Sequence, residues 1–151
     1  MKKLLTIIAV LNSALFVYAQ KSDIQTLDSL ISWLDSHIEI PSDSIVIKKN
    51  AFKAIKLSKN SNNQSSLALS YRYVSMYHRE YSKLDSAFFY LAKVKNIYTE
   101  QQNDLALAST YLDFKTLHAL KTEYGIATEQ TYKALELFEK TNNQKGIAQC
   151  Y

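Results

Sequence analysis

The sequence predicts an all-α fold, an αα-hairpin solenoid of about three helix pairs plus the start of a fourth. Three observations carry this. First, the chain repeats itself every 40 residues: Ser61-Asn62-Asn63-Gln64-Ser65-Ser66-Leu67-Ala68-Leu69-Ser70-Tyr71 returns as Gln101-Gln102-Asn103-Asp104-Leu105-Ala106-Leu107-Ala108-Ser109-Thr110-Tyr111 and begins again at Thr141. One column reads Leu27, Leu67, Leu107, Ile147 and another Tyr71, Tyr111, Tyr151. A fixed period of this size marks stacked units that bury their apolar faces against one another. Second, the 151 residues hold two glycines, one proline and 47% apolar residues, which favours long helices over a turn-rich β fold. Third, apolar residues within each period recur at helical three- and four-residue steps.

Residues 1–19 read as a secretory signal. Lys2 and Lys3 precede the apolar stretch Leu4–Leu11, and Val17-Tyr18-Ala19 places small residues before a cut at Ala19/Gln20. The stretch Leu4–Ala19 is shorter than the roughly 20 residues that span a bilayer, and Asn12-Ser13 interrupts it. The expected location is therefore exported, periplasmic or at the cell envelope. Cleavage removes two of 18 basic residues set against 14 acidic ones. Acids and bases look interspersed, so no basic face for nucleic acid is expected. Cys150 is the sole cysteine, which rules out an internal disulfide.

The remaining elements follow in order. Segment 20–60 is a degenerate first repeat or N-terminal cap. Asp23 can cap a helix to about Ile38, with Ile24, Leu27, Leu30, Ile31 and Leu34 on one side. Pro41 interrupts, and Ser42-Asp43-Ser44 offers a new cap. The second helix buries Ile47, Ala51, Ala54, Ile55 and Ser58. Repeat 61–100 places Leu67, Tyr71, Val74, His78 and Tyr81 on one helix face, turns at Ser82–Asp85, then buries Ala87, Tyr90, Leu91, Val94, Ile97 and Tyr98. In repeat 101–140, Asp104 caps a helix to about Lys121 and Glu123-Tyr124-Gly125 form the turn. The next helix carries Ala127, Ala134, Leu135, Leu137 and Phe138. Segment 141–151 starts a further repeat. Ending at Tyr151 leaves that unit incomplete, so a fragment of a longer chain is expected.

Tyr132-Lys133-Ala134-Leu135-Glu136-Leu137-Phe138, with Ala127 seven residues before Ala134, resembles the second helix of the tetratricopeptide repeat (TPR) family. Ala87 and Tyr90–Tyr98 form a looser version. Tyr71 and Tyr111 stand at the first helix's aromatic position. The departures are a longer period, Lys115 where Ser75 supplies the small residue one repeat earlier, and no closing proline. The resemblance covers about Leu27–Tyr151. It implies a right-handed superhelix whose first helices line a concave groove for a peptide or a partner's helix. On this alignment Leu69, Arg72, Met76 and Arg79 face the groove from one repeat. Ser109, Leu112, Thr116 and Ala119 face it from the next. Arg72 and Arg79 are the only arginines, and their forks suit carboxylates; the plainer reading is two solvated surface arginines. Met76 and Thr116 stand where the family's carboxylate clamp uses asparagines.

Catalysis needs convergent titratable groups, and none is evident. His78 and His118 lie one period apart, so stacked helices hold them roughly 8–10 Å from each other, too far to share a zinc ion. Their recurrence fits a packing slot. Cys150 has no base oriented towards it. Glu80, Asp85, Asp113 and Glu123 read as solvated carboxylates. Tyr73, Tyr77 and Tyr81 form one stripe, read as packing more than recognition. No cofactor or metal is expected. The expected function is a non-catalytic protein–protein interaction scaffold. The alternative is the sensory input region of a larger membrane-bound signalling protein, a sensor kinase or a DNA-binding regulator, whose membrane segment and output part lie beyond residue 151.

Overall fold

A computed structural model describes residues 21–37 and 44–151. The signal segment 1–19, Ile38, the Pro41 break and the Ser42-Asp43 cap lie outside the described residues. Among the described residues every regular element is a helix: α1 (21–37), α2 (Ser44–Asn60), α3 (Gln64–Glu80), α4 (Leu84–Glu100), α5 (Asp104–Leu120), α6 (Tyr124–Lys140) and α7 (Gln144–Cys150). From α2 onwards each helix packs on the next. The chain is an all-α helical solenoid.

The 40-residue period is built from two 20-residue modules. Helices α2 to α6 each span 17 residues, and three-residue turns join them. In every turn the middle residue is left-handed: Asn62, Ser82, Gln102, Thr122 and Asn142 have φ between 52° and 60°. Two backbone bonds close each turn in the same way. At the first, Asn63 N–H donates to the Ser58 carbonyl at 2.9 Å and Asn62 N–H to that of Lys59 at 3.2 Å. The same pair recurs from Lys83 and Ser82, Asn103 and Gln102, Glu123 and Thr122, and Asn143 and Asn142. This is the Schellman arrangement, which satisfies carbonyls left over at a helix C-terminus.

Helix starts alternate. Asn63, Asn103 and Asn143 accept from the backbone N–H of Ser66, Ala106 and Gly146, capping α3, α5 and α7. Lys83 and Glu123, at the starts of α4 and α6, make no such bond. The asparagine thus marks the start of each 40-residue unit. Several expected boundaries shift accordingly. Asn103 caps α5; Asp104 is its first helical residue and pairs with Lys140 at 2.6 Å. Glu123-Tyr124-Gly125 is not the turn: the Schellman geometry closes over Lys121–Glu123, and Gly125 lies inside α6 with an ordinary φ. The turn before α4 closes at Lys83, which leaves Asp85 in the helix's first turn.

The core runs along the stack. Leu27 and Leu34 of α1, Ile47, Ala51, Ala54 and Ile55 of α2, Leu67 and Val74 of α3, and Ala87, Leu91 and Val94 of α4 form one cluster that reaches Leu117 of α5. Ala108, Ala134 and Phe138 form a second. The expected faces of α2 and α4 pack against this core, whereas Tyr81 at the end of α3 stays 46% exposed. Buried alanines let helix axes approach to about 8–10 Å. Ser75 does the same between α3 and α4, and its hydroxyl donates to the Ala87 carbonyl at 2.8 Å.

The two glycines predict opposite effects. A Cβ on Gly125 meets nothing, so Gly125→Ala stabilises by about 0.5–1 kcal/mol through helix propensity. A Cβ on Gly146 overlaps the Phe138 ring, so Gly146→Ala destabilises by about 1–3 kcal/mol. Urea denaturation of both variants checks the signs. Thr122 is the one β-branched residue among the five left-handed positions, a strained choice. Thr122→Gly should raise stability by about 1 kcal/mol, whereas Asn62→Gly should change it by only a few tenths because asparagine tolerates this conformation.

Candidate functional site

The expected groove residues lie on α3 and α5. Leu69 and Met76 are half-buried against the main core, and Leu112 packs on the second cluster. Thr116 is exposed, its hydroxyl donating to the Leu112 carbonyl of its own helix at 3.0 Å. Arg72, Met76 and Arg79 share a small cleft with Ser75, Leu91, Asp113 and Leu117. The spacing on α3 therefore does bring Arg72, Met76 and Arg79 together.

The two arginines have different environments. Arg72 is neither free nor simply solvated. Its Nε donates to Asp113 Oδ2 at 2.5 Å and its Nη2 to Oδ1 at 3.1 Å. This two-pronged pair ties α3 to α5. The Asp113 hydrogen bond, opposed by burial, holds the Arg72 guanidinium above its ordinary range. Arg79 makes no ion pair among the described residues.

Asp113 was expected to be solvated, yet its side chain is only 20% exposed. The missed signal was its separation from Arg72, one period plus one residue, which places the two on facing turns of successive units. Tyr73 makes the matching tie on the other side, donating from its hydroxyl to Asp35 of α1. Helix α3 is thereby bonded to the equivalent helix on each side, back through Tyr73 and forward through Arg72. Burial first, then the Asp35 bond, pushes the Tyr73 phenol well above its ordinary value. The tyrosine stripe grades outward from there. Tyr77 pairs with Tyr81, ring centroids 4.8 Å apart.

His78 and His118 occupy equivalent positions with opposite neighbours. His118 Nδ1 lies 2.6 Å from Glu123 Oε2. The equivalent of Glu123 is Lys83, and His78 stacks instead on Tyr90 at 5.6 Å. Burial first, then the Lys83 and Lys48 charges, holds His78 below the ordinary imidazole range. Cys150 donates to the Gly146 carbonyl of its own helix, and burial pushes its thiol up. Asp85 is almost fully exposed. Among the described residues no three His, Cys, Asp or Glu side chains cluster to hold a metal, and no helix is long and apolar enough to cross a membrane.

The two ties predict separate outcomes. A double-mutant cycle of Arg72→Ala and Asp113→Ala should give a coupling of about 1 kcal/mol, above that of a solvated pair. For Tyr73 the unfolded phenol ionises near 10.0 while the folded one keeps its proton. Stability is therefore full below pH ~10 and falls as pH rises beyond it. Tyr73→Phe should be less stable at neutral pH but lose less above pH ~10, as read from urea midpoints across that range.

Comparison with protein-family models, with curated proteins and with solved structures finds no match, so the functional reading rests on the geometry of the chain itself.

Proposed function

We infer that the chain is a non-catalytic, TPR-like scaffold for protein–protein contact, binding a carboxylate-bearing peptide or partner helix along the face of α3 and α5. The observation that carries this is the division of labour between the two arginines. Arg72 is held by Asp113, whereas Arg79 shares the same cleft with Met76 and makes no ion pair among the described residues. Around it Leu69, Met76 and Leu112 offer partly exposed apolar surface and Thr116 a polar edge. An uncommitted guanidinium beside a thioether suits a carboxylate next to an aliphatic side chain. The repeated helical hairpins support the TPR-like reading. The leader-like residues Lys2, Lys3 and Leu4–Leu11 support a setting at the cell envelope.

The test is a random peptide library displayed on phage and panned against the chain. Enriched peptides should carry Asp, Glu or a free C-terminal carboxylate. They should lose about tenfold or more in affinity against Arg79→Glu or Met76→Asp. Enriched peptides that bind both variants unchanged would place recognition elsewhere.

A further inference from the structure

The expected even mixing of charges fails in one place. Helix α2 (Ser44–Asn60) holds five lysines and no acidic residue, and all five lysines are exposed. Large apolar side chains lie exposed among them, Val46 at 46% and Phe52 at 39%. Across a cleft, α4 exposes Phe89 at 58%. Lys48, Phe52, His78, Asp85, Phe89 and Tyr90 line that cleft. Helix α3 separates it from the first site, because His78 points from a different face of the helix than Arg72, Met76 and Arg79.

The cleft has an aromatic floor and a cationic rim. Tyr90 and His78 stack nearly parallel, 6° between planes. Phe52 and Phe89 each stand edge-on to Tyr90, at 86° and 82°. Lys93 lies 4.6 Å from the Phe89 centroid and Lys48 lies 5.6 Å from that of Tyr77. Asp85 is the one acid in the lining, and its carboxylate lies 3.8 Å from Lys121 of the next unit. His78 Nδ1 is buried without a hydrogen-bond partner, so Nε2 is the nitrogen left to meet a ligand.

These features select an occupant. Rings standing edge-on around a stacked floor accept a flat or branched apolar side chain. Five lysines on one helix call for carboxylates. A flat anionic surface reaches the lysines but not the half-buried His78–Tyr90 floor between the two helices. We propose that the cleft between α2 and α4 is a docking site for an acidic peptide segment that inserts one aromatic or aliphatic side chain between Phe52 and Phe89. This site is independent of the α3–α5 face, so either can fail alone.

The probe is a short fluorescein-labelled peptide with a central tryptophan flanked by glutamates, titrated by anisotropy against the full chain. Phe89 and Lys48 are exposed, so Phe89→Ala and Lys48→Glu should keep the helical circular dichroism of the parent, with Phe52→Ala as a further variant. Saturable binding is expected, weakened about tenfold or more by Phe89→Ala, by Lys48→Glu and by exchanging the peptide's tryptophan for alanine. Arg79→Glu should leave it unchanged. The proposal is overturned by no binding, by equal binding of the alanine peptide, or by binding insensitive to the cleft variants. Tighter binding to phosphatidylserine vesicles or oligothymidine that ignores Phe89→Ala would likewise overturn it, showing charge attraction without the cleft.

Discussion

A left-handed residue in the middle of every three-residue turn governs this molecule. Between consecutive helices from α2 to α7 the backbone reverses through the same pair of Schellman bonds. That fixes where each helix stops, where the next starts and which face the next turns inward. Helices of equal length joined by equal turns stack in register, so a column of sequence becomes a column in space. Leu107 packs against the core that holds Leu67 because the turns repeat, and Arg72 reaches Asp113 for the same reason. Only one of the five left-handed residues is β-branched, and none is glycine. The turns hold through their hydrogen bonds in spite of the cost that an L-residue pays in this conformation.

Much of this could be read from the residues. The period, the helix pairs and the buried faces of α2 and α4 follow from apolar spacing, a signal that accumulates over 17-residue helices. Boundaries were less readable. A three-residue turn with no glycine leaves little local mark, and Gly125 drew the expected turn two residues too far along the chain. Asn63, Asn103 and Asn143 held the better clue, since a side-chain cap at the start of each unit satisfies a donor that the helix cannot. The site was half readable. Helical spacing alone placed Arg72, Met76 and Arg79 together. That Arg72 is bonded to Asp113 depends on how neighbouring units stack, which no single helix encodes.

Helix α3 is the tie between neighbours. Its Tyr73 bonds backwards to Asp35 and its Arg72 forwards to Asp113. These polar ties join equivalent helices that are otherwise one layer apart, and they set the spacing of the surface on which Leu69, Met76, Arg79 and Leu112 lie. Polar ties specify register where apolar contacts tolerate slippage. The His78 and His118 positions show the same frame used differently. The turn residue differs, Lys83 against Glu123, so His118 gains a carboxylate while His78 keeps its Nδ1 unpartnered, and the Tyr90 on which His78 stacks is Gln130 one period later. A repeat keeps its backbone while adjacent units diverge in surface chemistry, and that divergence separates the α3–α5 face from the lysine-rich cleft beside α2.

Amide hydrogen exchange resolved by NMR reads the turns directly. If the Schellman bonds organise the stack, the backbone amides of Asn63, Lys83, Asn103, Glu123 and Asn143 are protected although they sit in turns. The amides of Lys83 and Glu123, which lack side-chain caps after them, are then protected as well as the asparagines. Fast exchange at these five positions, with slow exchange confined to helix interiors, would contradict it. The helices would then be joined by loose links, and the stacking that sets both surfaces would have to come from the apolar core alone.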